Sequence, residues 1–224
     1  MKKLVLAAAC VMGMASAFVG PLEGHASACG MSVRLEQLDV KPTPVQEIAS
    51  AERALEGGNN TYAATIVART FPGFRSITAG EDPLKTRALR VMALAIVRTN
   101  GDASRAGGWT TGSNLSWAVE SLREINAKRN NDPTVQADLG EALSKIPSKQ
   151  GEALELLSKL ADKDLMGSPN AYAALARLRS EKGDANGSAQ ALKRCEEMTK
   201  NPNVCKGAPA SPSSRPQVAY AAKV

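Results

Sequence analysis

From Val45 onward, apolar residues recur mainly at helical spacing, and Gly, Pro and Asn punctuate the stretches between. The first helix runs from Val45 to Glu56, with Val45, Ile48, Ala49, Ala51, Ala54 and Leu55 as its apolar positions, and Gly57-Gly58-Asn59-Asn60 stops it. Tyr62 to Phe71 returns, with Ala63, Ile66, Val67 and Thr70 as the inward stripe, and Pro72-Gly73 closes it. Glu81-Asp82-Pro83 opens the next, with acids and a proline where a helix starts. The segment Leu84 to Arg98 is the most hydrophobic of the series. A glycine-rich insertion from Asn100 to Ser113 separates it from NLSWAVESLREINAKR, which Ser113 or Asn114 should cap. Pro133 to Leu143 pairs with Gly151 to Leu160, and Ile146-Pro147 makes the turn. The last pair lies in PNAYAALARLRSEKGDANGSAQALKRCEEMTKNP, Pro169 to Pro202, with Gly183 as a left-handed cap between its helices. Few runs alternate with period two, so the fold class is all-α.

These pairs recur. Prolines fall at Pro44, Pro83, Pro133, Pro169 and Pro202, and a leucine stands six residues after three of them, at Leu89, Leu139 and Leu175. Gly140 and Ala176 follow the last two leucines. Ala118, Ala153 and Ala189 form a second ladder, with Leu122, Leu156 and Leu157, and Leu192 behind them. Small residues at one period let helix backbones approach closely. The pattern gives four helical hairpins, the last two well matched and the first two divergent. It resembles the tetratricopeptide repeat, a helix–turn–helix motif of about 34 residues. The resemblance implies a right-handed superhelical stack over residues 44–206, with the first helix of each hairpin setting the binding face.

The ends of the chain are different in kind. MKKLVLAAACVMGMASAFVG has a charged start at Lys2 and Lys3 and an apolar core from Leu4 to Val19. Gly20-Pro21 and Ala26-Ser27-Ala28 follow, so residues 1–28 are expected to be a cleaved secretory signal peptide. The alternative is an uncleaved anchor, although the apolar core is shorter than a membrane span. Residues 29–43 carry Val33, Leu35, Leu38 and Val40 before two prolines and predict an extended lead-in. Residues 207–224, rich in Ala, Pro and Ser, predict a disordered tail.

Cleavage changes the chemistry available. The chain has one histidine, His25, and it would be lost with the leader, which removes imidazole as base, acid or metal ligand. Of four cysteines, Cys29, Cys195 and Cys205 would remain. Cys195 and Cys205 flank the Asn201-Pro202-Asn203 turn and in an oxidising compartment would form a disulfide; unpaired thiols are the alternative. Cys29 directly follows the small residues and is a candidate lipidation site, as in bacterial lipoproteins. Against that, Ala26 stands where leucine is usual, which leaves a free or disulfide-linked thiol as the other reading. Two sulfurs, Cys29 and Met31, are too few ligands to hold a soft metal such as Cu(I).

The chain carries 28 Lys and Arg against 22 Asp and Glu, a net charge of +6. The charge is mixed along the chain, and no basic–aromatic interleaving indicates a nucleic-acid partner. Acids on these helices read as solvated faces. No phosphate loop, nucleophile motif or paired-cysteine metal spacing is present, so neither an enzyme nor a cofactor protein is expected. The candidate contact surface combines Arg87, Arg90 and Arg98 with Trp109 and Trp117, residue types that pair with anions and anchor interfaces. The expected role is an exported, periplasmic or outer-membrane-associated adaptor that holds an envelope protein or peptide segment. Two alternatives stand beside it: a structural lipoprotein anchored by Cys29, and a binder of anionic envelope polymers.

Overall fold

The computed structural model describes residues 27–28, 31–32, 41–103 and 110–206. The expected signal peptide at 1–28 apart from Ser27–Ala28, His25 within it, most of the expected lead-in at 29–43 with Cys29, Trp109 and the expected tail at 207–224 lie outside the described residues. The chain divides into two compact units at Lys41/Pro42. Within the first, Ser27–Ala28 pairs antiparallel with Met31–Ser32, backbone to backbone.

The second unit is helical: α1 (Pro44–Glu56), α2 (Asn60–Thr70), α3 (Pro83–Arg98), α4 (Thr111–Lys128), α5 (Pro133–Leu143), α6 (Gln150–Asp162), α7 (Pro169–Glu181), α8 (Ala185–Met198) and a short α9 (Pro202–Lys206). The proline ladder marks the starts of α1, α3, α5 and α7. Each begins with proline after a capping side chain, Thr43, Asp82, Asp132 or Ser168, whose oxygen accepts a backbone N–H of the first turn. Proline gives up an amide that has no intrahelical partner there, and each cap is worth about 1 kcal/mol.

Consecutive helices pack on one another throughout, and each first helix also packs on the next first helix, α1 on α3, α3 on α5 and α5 on α7. The result is a sequential stack of four hairpins. Ile48, Ile66, Leu89, Met92, Ile96, Leu122, Leu143, Leu157 and Leu175 are fully buried along its length. Gly140 shows why a small residue stands after Leu139. A Cβ there would lie 2.5 Å from Leu157 Cδ2, so only glycine lets α5 and α6 close.

Four expectations need correction. Ala189 is exposed, whereas Gly187 and Ala191 are buried. The buried ladder is therefore Ala118, Ala153 and Gly187, two residues earlier in the last hairpin, because Asp184 caps α8 through the Gly187 N–H at 2.8 Å. The α4 helix starts at Thr111, ahead of the expected cap, with Thr110 Oγ1 accepting from Ser113 N. Asn114 does not cap; it is buried and donates to the Gly101 carbonyl at 2.8 Å. Gly101 sits at φ +89°, and a Cβ on it would fall 2.5 Å from the Thr111 carbonyl oxygen. The insertion is thus pinched at its neck, and α3 still packs on α4. Finally, Pro202 begins the short helix α9 where a plain turn was expected.

Candidate binding groove

The first helices share a seam of polar contacts. Arg87 on α3 forks onto Glu52 of α1 at 2.9 and 2.5 Å. Arg90 reaches Asp138 of α5 at 2.5 Å, and Arg98 forks onto Glu141 of α5 at 2.9 and 3.1 Å. Arg177 of α7 donates to the Ser144 carbonyl at the end of α5, 2.7 Å away, and pairs with Glu181. An arginine therefore spans each neighbouring pair of first helices. The three α3 arginines share one face, as the sequence predicted, but each is already engaged by an acid of this chain.

The two α5 acids do not lie on a solvated face. Asp138 and Glu141 are 2% and 3% exposed. Burial pushes the Asp138 carboxyl above the usual carboxylate range, against the pull of Arg90. Burial draws the Arg98 guanidinium down, but Glu141 more than offsets it and holds it above its ordinary value. The sequence did contain a signal: α5 carries Val135, Ala137, Leu139, Ala142 and Leu143 on so many sides that it has almost no polar face. Acids inside such a helix are buried and need partners.

Two cavities open along this seam. The larger, about 660 Å³, is floored by Leu55, Val91, Leu94 and Ile125, with Arg87, Arg90, Arg98, Glu52 and Asp138 in its walls. Thr134, Arg129, Met198 and Lys200 stand exposed on its lining. The smaller, about 310 Å³, takes Asn60, Ser144, Lys145 and Arg177, and shares Leu55, Glu56, Arg98 and Asn170 with the first. The loop between Cys195 and Cys205 lines both. Met198, Thr199 and Lys200 face one cavity and Asn201, Asn203 and Val204 the other. A disulfide joins Cys195 to Cys205, both buried, and α9 packs against α7. The loop also reaches the first hairpin, since a Cβ on Gly58 would stand 3.2 Å from Asn201 Nδ2.

Trp117 is not part of this groove. It packs edge-on against Phe74, ring centres 5.5 Å apart, with the Arg75 guanidinium 4.9 Å from its ring. That cluster, together with Glu124 accepting the Ala79 N–H, pins the α2–α3 connection onto α4. The structure therefore separates Trp117 from the α3 arginines, and Trp109 lies outside the described residues. Glu52, Asp138, Glu141, Asn60 and Lys145 belong to the site and were not singled out in the sequence.

Among the described residues no three His, Cys, Asp or Glu side chains gather into a metal site, and no helix is long and apolar enough to cross a membrane. No family model, curated protein or solved structure matches the chain. Fold and groove together define a class, a stack of helical hairpins with a mixed-charge groove along its first helices.

Proposed function

We propose that the chain is an exported adaptor of the tetratricopeptide-like kind, holding an extended segment of another envelope protein. The observation that carries this reading is the 660 Å³ groove, apolar at its floor and ringed by charges of both signs. Such a surface suits a peptide with alternating apolar and polar side chains, whereas an anionic polymer would need free cations. The α3 arginines are neutralised by Glu52, Asp138 and Glu141, which weighs against the polymer alternative. A buried disulfide is at home in an oxidising compartment, which supports export to the periplasm or outer membrane.

Its pairing also leaves Cys29 as the odd cysteine beyond the leader, which keeps a lipid anchor as a second reading. The mass of the mature N-terminus decides that point: a diacylglycerol adduct on Cys29 supports anchoring, and a bare thiol or an upstream cut removes it. The adaptor reading is tested by photo-crosslinking in the native envelope. A benzophenone side chain at Thr134, exposed on the groove lining, should trap a discrete partner. The same probe at Tyr62, exposed on α2 and not lining the groove, should trap none. Equal adducts at both positions, or none at Thr134, would overturn it.

A further inference from the structure

The smaller cavity holds polar groups that the chain itself leaves unsatisfied. Lys145, just past the end of α5, is half-buried, and its ammonium makes no hydrogen bond or ion pair among the described residues. Asn60, the first residue of α2, has its Oδ1 buried with no partner. Asn170, Asn201 and Asn203 line the same space. Arg98 and Arg177 also face it, but Glu141 occupies the first, and Glu181 and the Ser144 carbonyl occupy the second. Burial lowers the Lys145 ammonium from the usual lysine range; Glu141 opposes that, and Arg177 and Arg98 add to it. The other charged group on the wall, Glu56, is exposed.

A half-buried cation with no carboxylate in ion-pair contact destabilises the free protein, and an apolar side chain there would not. Local rules broken without structural gain are the usual mark of a ligand site. The complement can be read from the donors and acceptors. Lysine only donates, so it asks for an anion; an orphan Asn Oδ1 only accepts, so it asks for an N–H or O–H. About 310 Å³ is the lower end of the range for small-molecule pockets.

We propose that this cavity binds a small monocarboxylate bearing a hydrogen-bond donor, its carboxylate on Lys145 and its donor on Asn60 Oδ1. The site adjoins the peptide groove and shares Leu55, Glu56, Arg98 and Asn170 with it, but Lys145 and Asn60 lie outside the groove lining, so it stands whether or not the groove holds a partner. Both a free hydroxy acid and the end of a peptide chain carry this chemistry, and two probes tell them apart.

The test uses the full chain, disulfide intact, with lysines labelled at Cε. It is titrated at constant ionic strength with L-lactate, N-acetylglycine and N-acetylglycinamide, and Lys145→Arg identifies the Lys145 signal. Both acids should move that signal saturably and raise its titration midpoint, and the amide should not. Tighter binding of L-lactate assigns a free hydroxy acid, and tighter binding of N-acetylglycine assigns a chain terminus. Lys145→Met should abolish binding while raising the thermal midpoint of the free protein. In case that variant misfolds, Asn203→Asp puts a charge on an exposed wall position and should weaken binding by about tenfold, equivalent to about 1.4 kcal/mol. No saturable shift with either acid, an equal shift with the amide, or unchanged affinity in Asn203→Asp would overturn the proposal.

Discussion

Arg98 and Lys145 line the same cavity and are treated in opposite ways. Arg98 is 12% exposed at its side chain and meets a carboxylate, Glu141, that is 4% exposed, in a two-pronged contact. Lys145, just past the end of α5 at Leu143, has an ammonium that no hydrogen bond or ion pair among the described residues engages. The difference separates cations that hold the stack together from one that is open to something else. Guanidinium forks fit carboxylates in a fixed geometry, so arginine is the residue expected where two helices must be joined. An ammonium on a flexible stem is suited to a ligand that comes and goes. Candidate function therefore sits with the lysine ammonium and the groove, not with the arginines of α3.

The largest expected effect sharpens that contrast. Arg98→Met leaves Glu141 buried without a partner and should cost about 3–5 kcal/mol in chemical denaturation. An effect under about 1 kcal/mol would mean the pair is not desolvated. Next comes the wall shared by both cavities. Replacing Cys195 and Cys205 together by serine opens a loop with a sequence separation of 10 and should cost about 3 kcal/mol. The same variant should lose protection from hydrogen exchange first at α9. Uniform loss along the chain would contradict the view of that segment as a clipped wall. The smallest effect belongs to Arg69, whose side chain is 62% exposed where it meets Glu47. Arg69→Ala should change stability by about 0.5 kcal/mol, an effect that vanishes in high salt. Arg90→Glu combined with Trp117→Ala would test the packing rather than a binding surface. It would set a second carboxylate against buried Asp138 and strip Phe74 of its ring partner.

Much of the architecture was legible because each level of the sequence agreed with the next. A capping residue and proline open all four first helices, Leu89, Leu139 and Leu175 are buried at the same step, and Gly183 ends α7 at φ +83°. The ladder slipped only where Asp184 advanced the start of α8, a local cap that period counting cannot see. The site was far less legible. Arg87, Arg90 and Arg98 share a helix face by simple spacing, but their partners lie 35, 48 and 43 residues away. Whether a charge on a helix faces water or another helix depends on which face the stack covers, and that is a tertiary fact. Lys145 was silent for the same reason, since its meaning comes from what is missing around it.

The claim that the arginines join the helices, and are not the recognition surface, is tested most directly by a double-mutant cycle. Arg98→Met, Glu141→Leu and the pair together would be compared by denaturation. Either single change should be costly and the pair should recover most of the loss, a coupling of about 2 kcal/mol or more. Additive effects, with no recovery in the double variant, would contradict it.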